Sequence, residues 1–91
     1  MSVKVRIPTQ LRGLAGGAGE VEVEGATVGE ALKALDAVHP GFAERIFDES
    51  GNLRRFVNVF MGEEDIRFLE GLDTPVASGA VVSVVPAVAG G

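Results

Sequence analysis

Several residue clusters in this chain have types and spacings that invite a chemical reading, and each can be weighed against what its chemistry requires. Gly13, Gly16, Gly17 and Gly19 resemble a phosphate cradle, but no Lys-Ser/Thr pair follows and no helix opens there, so a flexible hairpin loop is expected. The acidic trio Glu63, Glu64 and Asp65 lacks the longer ligand spacing of a calcium loop and reads as a polar turn. His39 is the only histidine and there is no cysteine, so zinc knuckles, disulfides and thiol nucleophiles are all excluded. His39 falls in a helix-terminating turn and reads as a solvated capping residue. No paired carboxylates and no Ser/His/Asp set stand out, which argues against an enzyme. What remains is the chain end: "VVPAVAGG" closes on Gly90 and Gly91, the residue type with the most conformational freedom to lose on folding.

Composition limits the setting in which such an end could act. The 91 residues are 46% hydrophobic and 23% charged, a balance suited to one globular domain with a modest core. Net charge is −5 and Lys4 and Lys33 are the only lysines, so nucleic acid is not an expected partner. The longest apolar stretch, broken by Ser83 and Pro86, is too short to cross a bilayer, and no signal peptide is visible. A cytoplasmic protein, monomeric when free, is expected.

The elements that must position the end follow from hydrophobic period. "SVKVRIP" alternates Val3, Val5 and Ile7 with polar residues, and "EVEVE" does the same with Val21 and Val23, so the two predict a strand hairpin. Thr27 and Glu30 form a capping box for the main helix, whose buried face should carry Val28, Ala31, Leu32, Leu35 and Val38. Pro40 and Gly41 stop it, and "FAERIF" makes a second short turn with Phe42 and Ile46 on one side. "RFVNVFM" predicts a third strand, "GEED" a turn and "IRF" a short return strand. Leu72 and Val76 in the following connector should plug the core. Ala80 to Val85, almost wholly apolar, predicts a final central strand covered on much of both faces. The order implies an α+β fold, the ubiquitin-like β-grasp, with a mixed sheet of about five strands and one main helix on one face. The final strand should lie parallel to the first, dividing the chain into a domain over residues 1–86 and a tail over residues 87–91.

A β-grasp order ending in "VPAVAGG" resembles the bacterial sulfur-carrier family that includes MoaD and ThiS, and most narrowly its cysteine-biosynthesis branch in actinobacteria. "IPTQLR", "GFAERIFD", "RFVNVF", "EDIRFLEGL" and the ending itself carry this resemblance across essentially the whole chain. It implies that the Gly91 carboxylate is the reactive group. An α-carboxylate, with an ordinary pKa of about 3.3–3.7, is ionised at neutral pH and can attack the α-phosphate of ATP. In this family a partner adenylyltransferase supplies the ATP and Mg²⁺ site, and a sulfur donor then displaces AMP to leave a thiocarboxylate. The carrier itself binds no cofactor. Gly90 and Gly91, without Cβ atoms, let the tail enter a narrow cleft. The resemblance also implies a sulfur-accepting synthase, foremost a pyridoxal-phosphate cysteine synthase acting on O-phosphoserine, and a peptidase to release the product.

Strand parity suggests where partners dock. If Val57, Val59 and Met61 face the helix, Phe56 and Phe60 face away; if Val82 and Val84 face in, Val81 and Val85 face out. Phe60 and Val85 then form an apolar patch that no second layer in this chain covers, which marks a protein interface. The resemblance places Val85, where molybdopterin-type carriers have a bulkier aromatic, against the activating enzyme. The expected partner-binding set is Phe60, Val85, Pro86, Ala87, Val88, Ala89 and Arg67, with Arg55 also at the rim, while the sequence by itself reads both arginines as solvated surface side chains. Sulfur delivery to molybdopterin, to thiazole or to a secondary metabolite is the alternative within this class. A ubiquitin-like modifier that forms amide bonds through its terminus is the alternative outside it.

Overall fold

In the computed structural model, which describes residues 2–86, the alternating valines build β1 (Ser2–Arg6) and β2 (Glu20–Glu24). The two strands pair antiparallel with Val3 opposite Val23 and Val5 opposite Val21, so both apolar sets fall on the same face. Between them the chain does not form the plain glycine loop expected from the sequence. Thr9–Ala15 winds into a 3-10 helix that buries Leu11 and Ala15 and ends at Gly16 in a left-handed conformation, φ 66°. The four-residue spacing of those two apolar side chains drives the turn inward, and the Arg12 Nε donates to the Ile7 carbonyl at 3.1 Å to hold it against β1.

Helix α1 (Val28–Val38) starts where the capping box places it. The Thr27 hydroxyl accepts from the Glu30 N–H at 3.2 Å, and the Glu30 carboxylate reaches back to the Ala26 N–H at 3.0 Å. The connector later in the chain ties down the same turn: the Val28 N–H donates to the Thr74 carbonyl and the Val76 N–H to the Ala26 carbonyl. Val28, Ala31, Leu32 and Leu35 are buried as their spacing predicts, but Val38 is 60% exposed. His39 caps the helix directly after it, and the short α2 (Phe42–Ile46) fills the adjoining core with Phe42 and Ile46 instead. Asp36 fixes that handover, accepting from the N–H groups of Gly41 and Ala43 at the start of α2.

Strand β3 (Val57–Met61) is two residues shorter than "RFVNVFM" suggests, leaving Phe56 in the turn before it. After Gly62 the return strand is β4 (Glu64–Asp65), which pairs with Met61 and Phe60. The "IRF" segment expected to be that strand is a 3-10 helix, Ile66–Phe68. A strand there would put Ile66 on an open edge; the tighter turn, capped by the Asp65 carboxylate on the Arg67 N–H, buries Ile66 completely. Val76 is buried and Leu72 packs against the core from its rim, as the connector's sequence suggests.

Strand β5 (Val81–Pro86) completes a mixed sheet with order β2-β1-β5-β3-β4. It runs parallel to β1 and antiparallel to β3, and α1 covers one face of the sheet. This is the ubiquitin-like β-grasp arrangement. The core lies between that face and α1, built from Val3, Val5, Val59 and Val82 on the sheet and Leu32 and Leu35 on the helix.

Leu32→Ala should cost about 2–5 kcal/mol of unfolding free energy, the range for truncating a fully buried leucine. Val38→Ala should stay within about 0.5 kcal/mol of wild type, as for an exposed position. Urea denaturation of the two variants measures both; similar losses would contradict the assigned helix face.

Candidate functional site

The last described residue of the chain, Pro86, leaves the sheet from its middle strand. β1 flanks β5 on one side with Lys4 opposite Val81 and Arg6 opposite Ser83; β3 flanks it on the other with Phe60 opposite Ser83 and Asn58 opposite Val85. Residues 87–91 lie outside the described residues, and with them Ala87, Val88, Ala89, Gly90 and Gly91 of the expected site. The tail expected over residues 87–91 likewise lies outside the described residues.

Along β5 burial alternates: Val82 and Val84 are buried, Val81 and Ser83 are half-buried, and Val85 is 45% exposed. The almost wholly apolar run is therefore covered on one face only, not on much of both as its composition suggests, because α1 and α2 both pack on one side. Phe60 shares the uncovered face but is half-buried between Ser83 and Asp65, so it is a weaker exposed feature than expected. Phe56 is the larger one. It is 55% exposed, directly precedes Val57, and Val57 is the residue opposite Pro86. Its outward parity is readable from the sequence, but the turn that leaves it uncovered beside the end of β5 is not.

Charge divides this outer face into two halves. On the β1–β2 half, Lys4 stands opposite Glu22 and Arg6 opposite Glu20, so each outward cation has a carboxylate neighbour across the ladder. On the β5–β3 half the outward residues are Val81, Ser83, Val85, Asn58 and Phe60, all uncharged. The sheet thus offers an uncharged, partly apolar strip that runs up to the end of β5.

Arg67 borders that strip. β4 pairs only with Phe60 and Met61, so the Val57 carbonyl further along β3 has no strand beside it on that edge. The Arg67 Nη2 donates to it at 2.8 Å and approaches the Arg54 carbonyl at 3.5 Å, while Nη1 donates to the Asn58 Oδ1. The side chain is exposed yet fixed by these bonds, a more constrained state than the solvated arginine that its surroundings in the sequence suggest. Arg55 is exposed and Arg54 donates through Nε to the Glu44 carbonyl, away from the sheet face.

On the other side of Pro86, an open depression of about 310 Å³ is lined by Arg6, Pro8, Gln10 and the last residues of β5. Pro8, which has no N–H, cannot extend the ladder of β1 along β5 at this point. Among the described residues no cluster of three or more His, Cys, Asp or Glu is placed to hold a metal ion, and His39 stands apart at the end of α1. No helix among them is long and apolar enough to cross a membrane.

The parity of β5 can be checked without any partner. Val85→Asp should cost about 1 kcal/mol or less, the span of strand propensity at an exposed position. Val84→Asp, which puts a carboxylate into the core, should cost several kcal/mol or prevent folding. Equal denaturation midpoints for the two variants would invert the assignment.

Comparison with known proteins agrees with this architecture. Residues 5–91 match the ThiS family. The chain is 46% identical to the sulfur carrier protein CysO of Mycobacterium tuberculosis over 93 aligned residues, covering 100% of both chains. Among solved structures it superposes on a chain of the BexX/CysO complex of Amycolatopsis orientalis with a TM-score of 0.91 and 44% identity, covering 98% of this chain and 99% of that one. It also matches SAMP1 of Haloferax volcanii, a small archaeal modifier protein, with a TM-score of 0.85 and 32% identity over 100% of each chain. With the family match spanning nearly the whole chain and the likeness to CysO all of it, this protein belongs to the ThiS family and is a homologue of the CysO sulfur carriers.

Proposed function

We propose that this protein carries sulfur on its own C-terminus as the co-substrate of partner enzymes. The Gly91 carboxylate oxygen attacks the α-phosphorus of ATP, held with Mg²⁺ by a partner adenylyltransferase, and pyrophosphate leaves. A sulfur donor then attacks the acyl carbon of the adenylate and displaces AMP, leaving a thiocarboxylate. The chain has no cysteine, so sulfur carried covalently in this way has the terminus as its attachment point. The favoured acceptor is a pyridoxal-phosphate cysteine synthase acting on O-phosphoserine, with a peptidase releasing the product from the carrier. The single observation that carries this reading is the likeness to CysO over its full length, which runs through Gly90 and Gly91.

The fold supports it in a specific way. A carrier must present its end to one enzyme after another while its body is held, and here β5 leads out of the sheet beside an uncovered apolar strip. Phe56, Phe60, Val85 and Pro86 supply the docking surface for the adenylyltransferase in this reading, with Arg67 and Arg55 at its edge. Ala87, Val88 and Ala89 lead the two glycines into the partner's cleft, where a side chain would obstruct entry. The relative from Amycolatopsis orientalis that is seen with BexX supports the expectation of a protein partner.

Likeness to the small archaeal modifier proteins favours a second reading, in which the activated terminus forms amide bonds with lysines of other proteins. Intact mass of the protein purified from its native host separates the two. Exchange of one oxygen for sulfur at the terminus supports the carrier; a branched peptide joining Gly91 to another protein supports the modifier. Deleting Gly91 should abolish thiocarboxylate formation and leave the denaturation midpoint unchanged, and a truncated chain that still accepted sulfur would refute the mechanism. Val85→Asp should weaken binding to the adenylyltransferase by about tenfold or more, as for an apolar residue at the centre of an interface; unchanged affinity in calorimetry would remove Val85 from the docking surface.

A further inference from the structure

There are 8 basic and 13 acidic side chains, a net charge of −5, yet the exposed Arg67 is fixed where β3 begins, against the carbonyl of Val57, the residue opposite Pro86, and the exposed Arg55 lies in the turn just before β3. Lys4 and Arg6 on the same face are matched across the ladder by Glu22 and Glu20. Arg67 is not matched in this way. Its guanidinium is held by the Asn58 side-chain oxygen and the carbonyls of Val57 and Arg54, all neutral acceptors. Among the described residues the nearby carboxylates make no ion pair with the Arg67 guanidinium: Asp65 accepts from the Arg67 N–H, and Asp48 accepts from the N–H groups of Ser50 and Asn52.

An arginine fixed by neutral oxygens keeps its full charge while losing its rotational freedom. The cost of ordering it is met within the folded chain, so a carboxylate that reaches it meets an oriented fork of donors. Placed at the edge of an apolar strip, such a group acts on the rate of encounter and on orientation more than on the final affinity.

We propose that Arg67, with Arg55 in the turn before β3 as a second exposed cation, receives carboxylate side chains from an acidic segment of the activating partner and so orients that partner on the uncharged strip. This rests on the docking surface proposed above and adds the chemistry of the partner's side.

The test is stopped-flow association of the full-length chain with the adenylyltransferase of its host, at ionic strengths from low salt to about 0.15 M, where the Debye length falls to about 8 Å. The association rate constant of the wild type should fall as salt rises. Arg67→Gln and Arg55→Gln should each lower it at low salt by about three- to tenfold and flatten its salt dependence. Arg67 also holds β3, whereas Arg55 makes no hydrogen bond of its own among the described residues, so Arg55→Gln reports the charge without the structural contact. Asn58→Asp keeps an acceptor for Arg67 while neutralising it in place, and should act like Arg67→Gln on association. A wild-type rate that rises with salt, or variants that change only the dissociation rate, would overturn the proposal while leaving the carrier reading intact. Self-association through this face, broken by salt and by Arg67→Gln, would overturn it in favour of a second copy as occupant. If the wild type is neither bound nor adenylated, the carrier reading fails and this proposal fails with it.

Discussion

The parallel pairing of β5 with β1 is the constraint on which the rest of this structure depends. A chain whose last strand lay on the edge of the sheet would leave an open ladder beside its end. Here β5 enters between β1 and β3, paired with β1 over Val81 to Ser83 and with β3 over Val82 to Pro86. Everything earlier in the chain prepares that slot. The β1–β2 hairpin provides one wall, α1 and α2 cover one face, and β3 with its short partner β4 provides the other wall. The last strand can then bury Val82 and Val84 and still run outward to its end.

One consequence is that the sheet has a single covered face. Both helices pack on the same side, so the opposite face must satisfy water by its own residues, and it does so unevenly. On β1 and β2 it carries opposed charges whose individual worth, at about 0–1 kcal/mol for an exposed pair, is too small to decide stability. Their effect is to keep that half hydrated. On β5 and β3 the same face is uncharged and ends in Val85, and the exposed Phe56 lies in the turn just before β3. Removing those side chains from water on contact is worth roughly 25 cal/mol per Å² of apolar surface, so contact here would release more than contact with the charged β1–β2 half. Arg67 stands at the boundary with its charge uncompensated by the oxygens that hold it.

Much of this was legible in the sequence because strand parity and helix period are strict. The valines of β1, β2, β3 and β5 place themselves, and Thr27 with Glu30 locates the start of α1 to the residue. The failures share a cause. Leu11 with Ala15, and Ile66 within "IRF", were hidden in short segments where a few residues cannot establish a period, and the core recruited both through 3-10 turns. Val38 fits the helix period but loses its place to Phe42 and Ile46, a choice made by the tertiary packing of α2. At the candidate site, the outward direction of Val85 followed from parity. The prominence of Phe56 over Phe60, and the anchoring of Arg67 across thirteen residues of chain to Arg54, depend on how β4 stops short, which no local pattern announces.

On the proposed reading, partners engage the uncovered half-face beside the end of β5. Backbone amide shifts of the isotopically labelled chain, followed by NMR during titration with the host adenylyltransferase, test it most directly. Perturbations are expected at residues 55–60, 81–85 and 87–91 and at Arg67, with the exposed side of α1 around Lys33 and Ala37 unaffected. Perturbations centred on α1 and α2, with the β5–β3 strip unchanged, would contradict it.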